Sequence, residues 1–260
     1  MIKKTLLAVI LVLFLTSCSN KSTDQVSPYL NFEKGFSQTL VVETKTSATK
    51  DMSFQESREI QFQLDTVTKD SSFVFTGKII RMIYKSDMFG EKEGFDTQVV
   101  KAINNTSKMS ASELEIYNEI KNTLDKEFTI ILDKRGNLLK TATFKDGTYI
   151  DPEIAKSYTV APIIFPDEKL AVGYSWEFNT ENPIIPTQKI KHIYTVDNIT
   201  ADKIILDVKV EINALSTLLE SNVATGVYEI DRKTKRFIKG QREMKLQIGG
   251  GKAIYKIYEQ

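Results

Sequence analysis

The sequence predicts a mainly β protein, a β-rich α+β fold in which two related antiparallel β units form curved sheets or an incomplete barrel. Apolar and polar residues alternate with a period of two along most of the chain, helix signals are concentrated in one stretch, and a connector separates two similar halves. With 41% hydrophobic and 27% charged residues, the composition is that of a globular protein.

The chain begins with a pattern typical of an export signal. Lys3 and Lys4 precede an apolar run from Leu6 to Leu15, and a polar stretch begins at Ser19. A basic start, a short apolar run and small residues before a cleavage site indicate a secretory signal. The run is shorter than the roughly 20 apolar residues that cross a bilayer, so we expect cleavage and not a membrane span.

The end of this run, Leu15, Thr16, Ser17 and Cys18, resembles the lipobox of bacterial lipoproteins, and Cys18 is the one cysteine of the chain. The resemblance implies that residues 1–17 are a lipoprotein signal peptide and that Cys18 is lipidated as the new N-terminus. Residues 18–28 would then be the lipidated cysteine and a polar tether, and the lipid would be the membrane contact. The alternative is an ordinary secretory signal with a chance cysteine.

The charge balance argues against one class of partner. Residues 1–17 carry Lys3 and Lys4 and no acidic residue, so 33 basic and 34 acidic residues remain after cleavage. This balance lacks the basic surplus that nucleic-acid binding requires, so no nucleic-acid partner is expected. The remaining chain is long enough for one large domain or two small ones.

The N-terminal β unit is predicted over residues 29–149. The alternation set by Phe73 and Phe75 changes phase after Gly77, because Met82 and Tyr84 take the other phase. A phase change near a glycine predicts a bulge or bend in a long strand. The acidic stretch that follows, residues 87–96, lacks the spacing of a calcium loop and is interpreted as a solvated loop.

One helix is predicted at about residues 110–124, inserted in the N-terminal unit. Ser110 and Glu113 have the spacing of a capping box, and the apolar residues after them recur at nearly helical spacing. A connector follows at residues 150–172, where prolines begin to punctuate the chain.

The C-terminal β unit is predicted over residues 173–260. Residues 203–212 show the clearest alternation, as expected of an antiparallel sheet with one covered face. The same pattern predicts further strands in both units, at residues 35–46, 127–133, 174–178, 189–196, 223–230, 236–248 and 252–258.

The two units resemble each other in three segments that occur in the same order. Residues 34–38 match 172–176, residues 59–70 match 191–202, and residues 133–140 match 231–239. We interpret the matches as a duplicated β unit. The alternative is chance similarity between hairpins, because turns draw on few residue types.

Few residues are suited to catalysis, so the chain is not expected to be an enzyme. His192, the one histidine, is in phase with Ile190 and Tyr194 and is predicted at the edge of the core with a hydrogen-bond partner. One histidine and a lipidated cysteine cannot form a His/Cys metal site, so no metal or cofactor is expected. Ser175 lies in a Gly-x-Ser sequence without the second glycine of a nucleophile elbow. A carboxylate-based hydrolase, with two acids about 5–10 Å apart, is the remote alternative.

Aromatic residues are concentrated in the strands and their junctions, and core filling explains most of them. They also suggest a cavity between the sheet and the helix at 110–124, with the helix as a plug and an apolar ligand inside. The aromatic residues are Tyr29, Phe32, Phe36, Phe54, Phe62, Phe73, Phe75, Phe89, Phe95, Tyr158, Phe165, Tyr174, Trp176 and Phe178.

Three short segments, residues 30–35, 172–176 and 228–235, resemble an uncharacterised family of envelope lipoproteins from Bacteroidota, and the resemblance extends over most of the chain. Lys235 stands where that family usually has a turn glycine. The resemblance implies no known activity and no catalytic residue. A curved sheet with a plugging helix is also similar to the periplasmic lipoprotein-carrier fold, at the level of the fold alone.

These observations predict a lipid-anchored protein of the cell envelope that holds an apolar small molecule or an envelope protein at the membrane without catalysis. The alternative is a structural or assembly lipoprotein that acts through an exposed sheet edge. Ser19, directly after the cysteine, favours the outer membrane and leaves the periplasmic and surface faces open.

Overall fold

The computed structural model describes residues 24–147, 159–181, 189–212, 223–246 and 250–260. The signal sequence, Cys18 and Tyr158 lie outside these residues. The strands are β1 Ser37–Thr49, β2 Met52–Val67, β3 Phe73–Met88, β4 Glu91–Asp96, β5 Glu127–Leu132, β6 Leu138–Phe144, β7 Ser175–Glu181, β8 Lys189–Ile199, β9 Lys203–Ile212, β10 Val223–Asp231, β11 Phe237–Lys245 and β12 Lys252–Glu259. The helices are α1 Thr97–Ile103 and α2 Ala111–Ile120.

The twelve strands form one antiparallel sheet, which confirms the mainly β prediction. Their order is β6-β5-β3-β2-β1-β12-β11-β10-β9-β8-β7, and β4 pairs with β3 outside this path. The sheet is therefore open, with β6 and β7 as its edges. Neither helix in the described ranges has the length and apolarity that a membrane crossing requires.

The two predicted β units become two halves of this sheet. The first and last strands, β1 and β12, pair from Leu40↔Glu259 to Ser47↔Lys252 and join the halves. From β7 to β12 the strands of the C-terminal half lie side by side in chain order. From β1 to β6 the strands of the N-terminal half continue the sheet in chain order and in the same direction. This arrangement is the one expected when a tandem unit is repeated along a sheet.

The segments matched by sequence also have the same local structure. Gly35 and Gly173 have positive φ angles of 87° and 86°, and each lies in a turn that leads into an edge of its unit. The Phe36 N–H donates to Glu33 O at 3.0 Å, and the Tyr174 N–H donates to Ala171 O at 2.9 Å.

The third matched pair is a turn built on an aspartate. Asp133 accepts from the Arg135 N–H at 2.8 Å, and Asp231 accepts from the Lys233 N–H at 3.0 Å. In both turns a later residue has a positive φ, 90° at Gly136 and 63° at Lys235. The repeated turns support the duplication, which stays a prediction.

The predicted bulge in β3 is confirmed. The register passes from Glu59↔Arg81 to Ile60↔Ile79, so Ile80 is the extra residue. Before it Phe73 and Phe75 are buried, and after it Met82 is buried in the opposite phase. One inserted residue keeps apolar side chains on the core face as the strand continues.

The prediction of a solvated loop at residues 87–96 is wrong. These residues complete a hairpin in which β4 pairs with β3 from Met88↔Glu91 to Ile83↔Asp96. The strand is short and rich in charge, so its sequence lacks the alternation that identifies a strand. Helix α1, which was not predicted, begins directly after it, with Asp96 as N-cap accepting from the Gln98 N–H.

Helix α2 confirms the predicted helix and its capping box at Ser110 and Glu113. Its expected role as a plug over the sheet is wrong. The Tyr117 ring lies 5.9 Å from the Phe95 ring on β4, and Glu113 accepts from the Gly94 N–H. Because its apolar side chains meet β4, the helix covers that hairpin and leaves most of the sheet interior to other segments.

Two extended segments fill the interior instead. Residues 24–36 and 159–170 contribute Leu30, Phe32, Ile163, Phe165 and Leu170, all buried in the core. They are tied together where Val26 and Leu170 exchange backbone hydrogen bonds of 2.9 Å. Residues 159–170 of the connector are therefore part of the core.

Candidate functional site

A cavity of about 540 Å³ lies against the C-terminal half of the sheet. Its walls come from the inner sheet face, from the connector and from the β5–β6 turn, and no described residue of α2 lines it. The lining residues are Thr44, Leu132, Gly136, Asn137, Leu138, Thr159, Ala161, Pro162, Ile164, Phe178, Thr180, Glu181, Ile190, His192, Tyr194, Val210, Ile212, Ala224, Tyr228, Arg242, Met244, Ala253, Ile254 and Tyr255.

The cavity exists because the sheet is strongly curved. Leu138 belongs to edge strand β6 and Thr180 to the opposite edge strand β7, yet both line the same space. Only a sheet that bends round on itself brings its two edges to one cavity. The connector occupies the gap between those edges and contributes Thr159, Ala161, Pro162 and Ile164 to the wall.

Hydrogen bonds hold the connector across this gap. The Trp176 Nε1–H of β7 donates to Ile164 O at 2.8 Å, and the Arg135 Nε–H of the β5–β6 turn donates to Phe165 O at 2.7 Å. The Phe165 and Trp176 rings also stack, with centroids 6.4 Å apart. One segment thus contacts both ends of the sheet and fixes one wall of the cavity.

On the inner face, residues that lie directly opposite each other on neighbouring strands form rows that run across the sheet. One row contains Trp176, Tyr194, Val208, Gly226, Arg242, Tyr255 and Thr44. The next contains Phe178, His192, Val210 and Ala224, and a third contains Thr180, Ile190 and Ile212. Polar groups are concentrated in the first row, and apolar side chains dominate the third.

His192 lies where its phase predicted, on the inner face at the cavity wall. Its ring stacks on Phe178 with centroids 4.7 Å apart and an interplanar angle of 5°. Its Nε2 is 3.0 Å from Thr180 Oγ1, a hydrogen bond whose direction depends on the tautomer. These contacts describe a histidine held as part of an aromatic wall.

Arg242 brings a positive charge to the cavity. Its guanidinium carbon lies 4.3 Å from the centroid of the Tyr255 ring, a cation–π geometry. Burial lowers the pKa of Arg242, but Tyr228, Tyr255 and Tyr194 raise it by more, so the pKa lies above its ordinary value. The guanidinium therefore stays charged.

Two of the tyrosines near Arg242, Tyr194 and Tyr255, stay protonated at neutral pH. Burial raises the pKa of Tyr255 to about 12 and moves the pKa of Tyr194 further upward. Tyr228 lies opposite Gly240 on the neighbouring strand, and a Cβ atom at Gly240 would overlap the Tyr228 ring. The glycine therefore makes room for an aromatic ring in the cavity wall.

The aromatic residues singled out from the sequence divide into two groups. Phe178 lines the cavity, and Trp176, Tyr174 and Phe165 stack behind that wall. Five of the others pack in the core of the N-terminal half, namely Phe32, Phe36, Phe62, Phe73 and Phe75. Phe54 and Phe89 are exposed. The aromatic pattern thus identified part of the wall and much of the solid core.

Sequence reasoning missed Arg242, Tyr228 and Tyr255. A signal for Arg242 is present, since it alternates in phase with Met244 and Leu246 and therefore shares a face with apolar residues. Tyr228 and Tyr255 come together with it through pairing of β10, β11 and β12. Alternation along single strands does not show that pairing.

The described residues contain no group of three or more His, Cys, Asp and Glu residues that could hold a metal ion. Among the described lining residues Glu181 is the one carboxylate, so these residues do not supply the two acids that the hydrolase alternative needs. The arrangement can enclose an apolar molecule and offer it one cationic group.

The chain is similar to a solved structure that describes lipid–protein interactions in lipovitellin. The TM-score is 0.53 and the sequence identity 10%, over 88% of this chain and 25% of that chain. At this identity the likeness shows the fold alone. No family model and no curated protein matches the chain, so membership of the Bacteroidota lipoprotein family stays a prediction.

Proposed function

We propose that this chain is a non-enzymatic binding protein that holds an apolar ligand in the cavity of its curved sheet. The observation that supports the proposal is the cavity itself, which at about 540 Å³ lies in the range of small-molecule sites, roughly 300–1,000 Å³. A protein core normally packs without spaces of this size. The likeness to a lipovitellin structure that concerns lipid–protein interactions agrees with a lipid-like ligand.

The proposal includes an envelope location with a lipid on Cys18. The lipobox-like sequence at residues 15–18 supports it, and the first described residues, at 24 and beyond, join the core directly. Intact-mass measurement of the membrane fraction would show the acylated cysteine. A protein from the membrane fraction that is cleaved before residue 18 but carries no added acyl mass on Cys18 would contradict anchoring by this lipid.

The test of ligand binding uses residues 19–260, because every described element lies after residue 23. Native mass spectrometry after gentle purification should show added mass that denaturation releases as a lipid-like molecule. Ala224→Phe places a ring in the cavity and should abolish binding of an added acyl-chain probe. Thr225→Phe places the same ring on the exposed opposite face of β10 and should leave binding unchanged.

Two results would contradict the proposal. One is a native mass equal to that of the polypeptide alone, together with no binding of acyl-chain probes by the unsubstituted protein. The other is equal loss of binding in Ala224→Phe and Thr225→Phe, which would separate binding from the cavity. A specific envelope protein captured in either case would favour the alternative of binding through the open edges at β6 and β7.

A further inference from the structure

We propose that the ligand of this cavity is a single-chain amphiphile with an anionic head group, and that Arg242 binds its acid group. This inference rests on the proposed binding function and adds the chemical class of the ligand. It comes from the charge at the cavity wall, which an apolar ligand alone would not use.

Arg242 differs from the other arginines in its partners. In the described part of the chain its guanidinium contacts the aromatic residues Tyr255 and Tyr228 and no carboxylate. Each of the other arginines forms an ion pair with Asp or Glu; these are Arg58, Arg81, Arg135, Arg232 and Arg236. The protein neutralises its arginines elsewhere and leaves this one facing the cavity.

Arg242 is half-buried. A cation that is partly removed from water without a counter-ion is unfavourable, so such a group is normally paired. An acid group on the ligand would supply the missing partner, since a guanidinium forms two parallel hydrogen bonds to a carboxylate or phosphate. The Tyr255 ring and the Tyr228 side chain hold the guanidinium in place, which lowers the entropy lost on binding.

The rest of the cavity suits an alkyl chain. Away from the row of Arg242 the inner face presents Val210, Ala224, Ile190 and Ile212, which form successive rows towards the other end of the strands. Glu181 lies beyond the row of Ile190, at the end of β7, and is exposed. A chain along this face therefore has its acid group near Arg242 and away from Glu181.

The test compares three ligands of equal chain length, laurate, dodecyl phosphate and dodecanol, by titration calorimetry with residues 19–260. We expect both anions to bind roughly 10–100-fold more tightly than the alcohol, the effect of a charge-assisted hydrogen-bonded pair. The ranking of laurate and dodecyl phosphate identifies which acid group the site prefers.

Arg242→Gln should remove the preference for the anions while dodecanol binding is retained, which also shows that the variant is folded. Arg242→Lys should keep part of the preference, because an ammonium is a point charge without the planar fork. Lys245→Gln removes the same charge from the exposed outer face of β11 and should leave all three affinities unchanged.

Equal affinities for laurate and dodecanol in the unsubstituted protein would overturn the anionic head group and leave the proposed binding function intact. Failure of all three ligands to bind would instead count against the proposed function itself. If Arg242→Gln weakens the binding of laurate, dodecyl phosphate and dodecanol equally, Arg242 only supports the shape of the cavity. That result would overturn its role as the partner of the acid group.

Discussion

The two halves of the sheet are built on the same turns and strand order, but their interiors differ. In the N-terminal half, Phe32 makes edge contacts with Phe73 and Phe75 at 5.3 Å, and phenylalanines fill the inner face. In the C-terminal half the corresponding face presents Tyr194, Tyr228 and other residues with polar groups, and it borders the cavity. The difference shows that one architecture serves as a solid core on one side and as a binding wall on the other.

The physical reason lies in the ends of the side chains. Phenylalanine has no polar atom, so several rings can meet from all sides without an unsatisfied group. A tyrosine hydroxyl, an imidazole or a guanidinium needs a partner or water, so close packing around all of them is unfavourable. Residues with such polar groups are therefore suited to a wall that borders open space, where water or a ligand can supply the partner.

The largest effect that would sharpen this comparison is expected from truncating the solid core. Phe75→Ala should lower the free energy of unfolding by about 3–5 kcal/mol, because Phe75 is fully buried and a cavity is left behind. Met244→Ala should cost clearly less, since Met244 already borders open space. Urea unfolding of both variants measures the difference, and equal losses would break the distinction between core and wall.

A smaller effect is expected in the aspartate turn of the N-terminal half. Gly136→Ala should destabilise by about 2–4 kcal/mol, since it combines a positive φ with overpacking. A Cβ atom at Gly136 would lie 2.6 Å from Ile163 O of the connector. Gly35→Ala is the matched control, because it has a similar φ of 87° but no atom within 4 Å. Unfolding curves that show the same loss for both would exclude the contact with the connector as a cause.

The smallest effect is expected in the matching turn of the C-terminal half, where Lys235 has a φ of 63°. Lys235→Gly should stabilise by about 1 kcal/mol, because glycine adopts this conformation without steric cost. Thermal unfolding at pH 7 measures the change. A loss of stability would mean that the contact of the Lys235 ammonium with Arg232 O outweighs the backbone strain.

Lys235 also gives that turn a pH dependence that Gly136 cannot have. Burial lowers the pKa of Lys235 to about 8 from the ordinary 10.5, so the unfolded chain holds more protons between these values. The free energy of unfolding should therefore rise between pH 8 and about 10.5, as Lys235 loses its proton in the folded protein before it does in the unfolded chain. Below pH 8 Lys235 is protonated in both states and adds no pH dependence. In Lys235→Met, which keeps a side chain at the same φ, that rise should disappear from the denaturation midpoints.

Local features of the fold could be predicted from the sequence because they depend on neighbouring residues. Alternation in residues 203–212, the phase change after Gly77 and the capping box at Ser110 each reflect contacts within one strand or one turn. The charged strand β4 and helix α1 escaped prediction because the ion pair that holds Asp96 at the helix N-cap comes from Arg81 on the neighbouring strand β3, 15 residues earlier in the chain.

The sequence by itself determined the class of fold, the bulge in β3 and the inward direction of His192. The tertiary structure alone decided that the connector and not α2 occupies the interior, and that Arg242 meets Tyr228 and Tyr255. Which segment fills a curved sheet depends on the competition between all apolar segments for the same surface. The row that contains Arg242 exists only when β7 to β12 and β1 are paired in register, and no single stretch of sequence encodes that alignment.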